Sequence, residues 1–122
     1  MLTTGADILH IARIQAAIAH HGERFLLRVY TAHELAYCRS RLPELAARFA
    51  AKEAASKALG VRIMSRSGIG WHDAEIINDV SGKPVLHLHG AARSHAQALG
   101  LTQWSISLTH EREYAVAFVV AL

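Results

Sequence analysis

The alternation of apolar and polar positions divides the chain into a helical first half and a strand-rich second half. Leu2 to Leu9 is a short apolar strand, interrupted by Gly5 and Asp7. From His10 to His21, apolar residues fall at Ile11, Ile14 and Ile18, the spacing of one helix face, and Gly22 supplies a C-terminal stop. Thr31-Ala32-His33-Glu34 has the form of a capping box and predicts a short helix through Cys38. Pro43 suits the first turn of a helix that runs to about Leu59, with Gly60 just past its end.

Beyond Gly60 the period changes. Trp71 to Asn78 and Val85 to His89 read as strands joined by a turn over Asp79 to Pro84. Ala91 to Leu99 is a helix ended by Gly100. Trp104 to His110 alternates as a strand, and Tyr114 to Val120 is a more buried one. The short link Glu111-Arg112-Glu113 makes these last two an antiparallel hairpin. Helices early and strands late predict an α+β fold, with helices packed on a small antiparallel sheet.

Length narrows the picture further. A chain of 122 residues predicts one domain, residues 1–122, large enough for a core but small for a self-contained enzyme cleft. The longest apolar run, Ala115 to Leu122, is far short of the ~20 residues of a spanning helix. No membrane segment is expected, and the N-terminus lacks the basic and apolar blocks of a secretion signal. Cys38 is the only cysteine, which excludes an intrachain disulfide and fits a cytoplasmic setting. A net charge of +3 favours anionic partners: nucleic acid, phosphorylated metabolites or an acidic protein.

Candidate chemistry concentrates on the long helix. Steps of about 100° place Phe49, Glu53, Ser56, Lys57 and Gly60 on one face. Glu53 and Lys57 alone would make a surface ion pair worth about 0.3–0.5 kcal/mol. However, Arg48 and Lys52 are also four apart, and like charges at that spacing repel unless an anion sits between them. A carboxylate flanked by cations on an alanine-rich helix suits a metal–phosphate complex. Asp7 is a second carboxylate, inside an apolar segment, where it either caps a helix or faces a partner. Magnesium takes one or two carboxylates plus water and phosphate oxygens, so Asp7 and Glu53 could form such a pair if the first strand packs on the long helix. His110, closing the penultimate strand, is either an exposed turn residue or a donor to a phosphate.

Three segments together resemble the holo-acyl-carrier-protein synthase family of small 4′-phosphopantetheinyl transferases. They are Gly5-Ala6-Asp7-Ile8, Arg48-Phe49-Ala50-Ala51-Lys52-Glu53-Ala54-Ala55-Ser56-Lys57-Ala58-Leu59-Gly60, and Ser107-Leu108-Thr109-His110. Supporting matches are Arg24-Phe25, Thr31, Glu34-Leu35, Gly82-Lys83-Pro84 and Tyr114-Ala115-Val116-Ala117. The resemblance implies that an apo acyl carrier protein's serine attacks the β-phosphate of coenzyme A and releases adenosine 3′,5′-bisphosphate. It implies Asp7 and Glu53 as magnesium ligands, and Lys57 as the cation that stabilises the diphosphate. It further implies His110 as a contact to the 3′-phosphate, with Arg48, Lys52 and Gly60 also in the coenzyme environment. The base stays open between Glu53 and a water on the metal.

The same resemblance puts the carrier protein on the first helix and the turn after it. There Arg13, Arg24 and Arg28 offer basic charge and Phe25 an apolar anchor, with Glu23 the only acid between His10 and Arg28. It also implies a homotrimer with active sites between subunits, acting in lipid metabolism and fatty acid biosynthesis. Ala6, His10, Val61 and Thr109 depart from the family's common residues without removing a proposed ligand. Zinc is disfavoured because neither His33-Glu34 nor His110-Glu111 continues as H-E-x-x-H. Nucleic-acid binding would leave Asp7 and Glu53 unexplained. A coenzyme diphosphate hydrolase and a non-catalytic carrier-docking module are the rival functions.

Overall fold

The computed structural model describes residues 1–122. The elements are β1 (Thr3–His10), α1 (Ile11–His21), α2 (Glu23–Val29), α3 (Ala32–Cys38), α4 (Leu42–Leu59), β2 (Ala74–Asn78), β3 (Pro84–Leu88), α5 (Gly90–Leu99), β4 (Trp104–His110) and β5 (Tyr114–Ala121). The fold is α+β, as the helix-then-strand order predicts.

Two antiparallel sheets form. The larger has the order β1-β5-β4, so the first strand pairs with the last. Asp7 lies opposite Ala117 in β5, and His110 of β4 lies opposite Ala115. The smaller sheet is the β2–β3 hairpin. Helix α4 crosses the inner face of the larger sheet. Side chains alternate across a strand, so Gly5, Asp7 and Leu9 of β1 face α4, as do Ala115, Ala117 and Val119 of β5. The opposite face carries Ala6, Ile8, Val116 and Phe118. Nothing covers it: Ile8 is 62% and Phe118 46% exposed.

Small residues set the distance between helix and sheet. Ala46, Ala47, Ala50, Ala51, Ala54 and Ala58 are all buried on α4. Gly5 meets them so closely that an added Cβ would lie 1.9 Å from the Ala54 carbonyl oxygen and 2.9 Å from the Ala58 amide nitrogen. Glycine is required here by space and not by backbone conformation. Nearby, Thr3 Oγ1 donates to the Ala58 carbonyl at 2.9 Å and closes the same contact. Gly5→Ala, the smallest available change, is expected to cost about 2–3 kcal/mol because backbone must give way. Thermal denaturation checks this; an unchanged melting temperature would mean that β1 does not sit so tightly on α4.

Two local expectations need correction. No helix is foreseen between Gly22 and Thr31, yet Glu23–Val29 forms α2. Gly22, at φ 58°, ends α1 and starts α2 in the same residue, so the stop signal is genuine but no loop follows it. The first part of the predicted strand over Trp71 to Asn78 is instead a 3₁₀ turn, Trp71–Asp73. Asp73 Oδ2 accepts the Gly70 amide at 2.9 Å and holds that turn. By contrast, the capping box at Thr31 forms as read. Thr31 Oγ1 accepts the Glu34 amide at 3.2 Å, and Glu34 Oε1 accepts the Thr31 amide at 2.8 Å.

Candidate active site

The tight β1–α4 contact brings three of the candidate residues together. Asp7 projects from β1 toward α4, where Lys57 Nζ donates to Asp7 Oδ1 at 3.1 Å and to the Ala6 carbonyl at 2.9 Å. Lys57 sits in the last turn of α4, which Gly60 ends in the left-handed conformation at φ 73°. Glu53 lies one turn earlier on the same face. Its carboxyl is held above the usual carboxylate range, chiefly by burial and then by the nearby Asp7 carboxylate; Lys57 and Arg13 pull the other way. A half-buried carboxylate beside a second one is a site that gains from a cation.

A cavity of about 440 Å³ opens beside them, lined by Glu53, Ser56, Lys57, Val61, Arg62, Ile63 and Trp71. Ser56 Oγ is turned inward and donates to the Glu53 carbonyl at 2.7 Å. Arg62 and Ile63 are not foreseen from the sequence, because the loop that carries them has no periodic signal, and Trp71 reads there only as the start of a strand. No cluster of three or more His, Cys, Asp or Glu side chains converges in the chain. Two carboxylates such as Asp7 and Glu53 are the kind of donor set a hard cation takes when water and substrate oxygens fill its other positions.

His110 and Arg48 form a second group on the same side of the sheet, toward the N-terminal half of α4. His110 Nε2 lies 3.8 Å from Glu44 Oε1, and Arg48 Nη1 donates to Glu44 Oε2 at 3.1 Å. Arg48 is only 2% exposed. Its Nη2 donates to Asn78 Oδ1 at 2.6 Å, its guanidinium lies 4.4 Å from the centre of the Tyr37 ring, and its Nε has no partner.

Lys52 requires a correction. The sequence reading places it in the phosphate environment, but it points into the core with no exposed side-chain surface. Its Nζ spends three donors on Glu34 Oε2 at 3.0 Å, the Trp71 carbonyl at 3.0 Å and the Ala74 carbonyl at 2.8 Å. No N–H is left for a ligand. The anions that relieve the Arg48–Lys52 repulsion are protein carboxylates, Glu44 for one and Glu34 for the other. The Glu44–Arg48 spacing of four residues was a visible signal; the Glu34–Lys52 pair had none.

The proposed carrier-binding residues divide. Arg24, Phe25 and Arg28 lie on α2, not on a turn, and with His21 they line a shallow cavity of about 210 Å³. Phe25 is half-buried, 6.3 Å from the Phe49 ring and 6.2 Å from the Tyr30 ring, so one side is anchored in the core. Arg13 stands apart on the exposed face of α1, near enough to Glu53 to act on its carboxyl.

Residues 3–119 match the profile of the ACPS family, 4′-phosphopantetheinyl transferase superfamily. The chain belongs to this family. The transferase is 47% identical over 126 residues to the holo-acyl-carrier-protein synthase of Herpetosiphon aurantiacus, covering 100% of this chain and 99% of that one. It is 50% identical over 121 residues to the one from Dehalococcoides mccartyi, covering 99% and 98%. Among solved structures it is similar to Helicobacter pylori holo-acyl-carrier-protein synthase in complex with coenzyme A. The TM-score is 0.87 and the identity 28%, with 98% of this chain and 99% of that one covered. The Neisseria meningitidis enzyme superposes equally well, with TM-score 0.87, 31% identity and coverage of 98% and 97%. The transferase is an enzyme of the holo-acyl-carrier-protein synthase type. None of its helices is long and apolar enough to cross a membrane.

Proposed function

We propose that the transferase moves 4′-phosphopantetheine from coenzyme A to a serine of an apo acyl carrier protein, with magnesium held by Asp7 and Glu53. The observation that carries this reading is a cavity lined by Glu53 and Lys57, with Asp7 bonded to Lys57 and close enough to Glu53 to act on its carboxyl. The serine oxygen bonds to the β-phosphorus, and the phosphoanhydride bond to the α-phosphate breaks. Adenosine 3′,5′-bisphosphate leaves with that electron pair. Bound magnesium supplies neutralising charge at the diphosphate, which is most of what phosphoryl transfer needs. Lys57, 54% exposed, keeps one N–H beyond those given to Asp7 and the Ala6 carbonyl, and that one suits the departing oxygens. Glu53, with its raised proton affinity, suits acceptance of the serine proton.

His110 and Arg48 are proposed to meet the coenzyme's 3′-phosphate. They sit by Glu44, away from the Asp7–Glu53–Lys57 group. A homotrimer with sites between subunits would let one coenzyme use both groups. The uncovered sheet face around Ile8, Val116 and Phe118 supports such self-association. Basic α2 is the proposed docking surface for an acidic carrier.

The test is to incubate the protein with magnesium, coenzyme A and an apo carrier protein, then weigh the carrier by mass spectrometry. A gain of one phosphopantetheine is expected. No gain with any apo carrier would sink the reading, and bisphosphate release without a carrier would favour the hydrolase. At low salt, Arg24→Glu is expected to raise KM for the carrier about tenfold and to flatten its salt dependence, with KM for coenzyme A within about twofold of wild type. Equal loss toward both substrates would place Arg24 outside the docking surface.

A further inference from the structure

Between Arg48 and His110 stands a carboxylate that the transfer reaction does not use. Glu44, in the first turn of α4 and 25% exposed, presents Oε2 to Arg48 Nη1 at 3.1 Å and Oε1 toward His110 Nε2 at 3.8 Å. One anionic group with two oxygens facing an arginine and a histidine is the arrangement that a phosphate in the same place would make.

The three side chains differ in freedom. Arg48 is fixed, gripped by Asn78 Oδ1 on one side and covered by the Tyr37 ring on another. His110 closes a strand whose backbone is paired to β5. The Glu44 side chain has no hydrogen bond or ion pair except those to Arg48 and His110. It is the member that can leave, by turning its carboxylate into solvent.

We propose that Glu44 is a built-in competitor for the coenzyme's 3′-phosphate. It holds and neutralises Arg48 while no coenzyme is bound, and it gives up both Arg48 and His110 when the phosphate arrives. The inference rests on the proposed meeting of His110 and Arg48 with that phosphate, and it deepens that reading. It makes Glu44 a specificity residue of an unusual sign. Truncating an ordinary contact weakens binding, whereas removing a competitor strengthens it. The gain must also depend on the 3′-phosphate, because the diphosphate end of the coenzyme belongs to the other group of residues.

Isothermal titration of the full chain in magnesium, with coenzyme A and with 3′-dephospho-coenzyme A, tests this. Glu44→Gln is expected to bind coenzyme A roughly fivefold tighter than wild type, with affinity for the dephospho form changed by less than about twofold. Glu44→Ala, which removes the acceptor altogether, is expected to move the same way. A small fall in melting temperature will accompany either change, since a first-turn carboxylate complements the positive end of its helix. Weaker or unchanged binding of coenzyme A by both variants overturns the proposal, and so does equal tightening toward both ligands, which is what a general charge effect would give. If the wild-type chain binds no coenzyme A, the functional reading falls with it; binding without discrimination removes the competitor alone.

Discussion

Glu53→Gln is expected to abolish phosphopantetheine transfer while leaving the fold intact or slightly more stable. The two halves of that outcome have one cause. Glutamine keeps the shape of the side chain but removes the charge that, with Asp7, is proposed to hold magnesium. Loss of charge stabilisation at a phosphoryl centre costs on the order of 10³-fold in kcat/KM, before counting any role as base. Folding gains in the same change. Burial and the Asp7 carboxylate hold the Glu53 carboxyl above its ordinary range, so its charged form is the disfavoured one in the folded chain. A neutral amide removes that conflict, and the melting temperature should stay level or rise. Carrier mass spectrometry measures the first half and thermal denaturation the second. Full activity in the variant would show that the metal assignment is wrong; lost activity with a lower melting temperature would point to folding instead.

The second large effect has the opposite character. Lys52→Met should act on stability, with a loss of about 3–5 kcal/mol and a melting temperature lower on the order of 10–15 °C. The substitution leaves Glu34 in the core as a carboxylate without its cation, and it strips the donor from the Trp71 and Ala74 carbonyls. The double variant Glu34→Leu with Lys52→Met is expected to recover part of the loss, because no charge then stays buried. Recovery will be incomplete, since Glu34 also accepts from the Thr31 and Ile76 amides. If Lys52 were instead a coenzyme contact, the single variant would raise KM for coenzyme A at an unchanged melting temperature. That result would return Lys52 to the coenzyme's surroundings.

These two neighbouring residues show how far the sequence could be read. The nearness of Asp7 to Glu53 was legible only as a condition, that the first strand packs on the long helix, and β1 does pack on α4. Lys52 was misread because its partner, Glu34, already had a local explanation as a capping-box residue. One oxygen of Glu34 accepts the Thr31 amide as the motif predicts, and the pattern says nothing of the other, which reaches across to α4 and β2. Helix α2 was missed for a related reason. Glu23 to Val29 is too short to be helical by its own pattern, and its order comes from Val29 and Phe25 packing into the core. Local signals located the helix ends at Thr31, Gly60 and Gly100, while contacts between distant segments were legible only where period or parity forced them.

The alanine seam between α4 and the sheet has a consequence for how this protein tolerates change. Most cores fail by losing bulk, when a large side chain is cut back and a void opens. Here the backbones of β1 and α4 already touch at Gly5, and Ala50, Ala51, Ala54 and Ala58 each have only a methyl group left to trim. The weakness runs the other way. A single added methylene along the seam would push the strand off the helix and carry the Asp7 carboxylate away from Glu53 with it. Variation in such a region can only be toward smaller residues, and almost none exist.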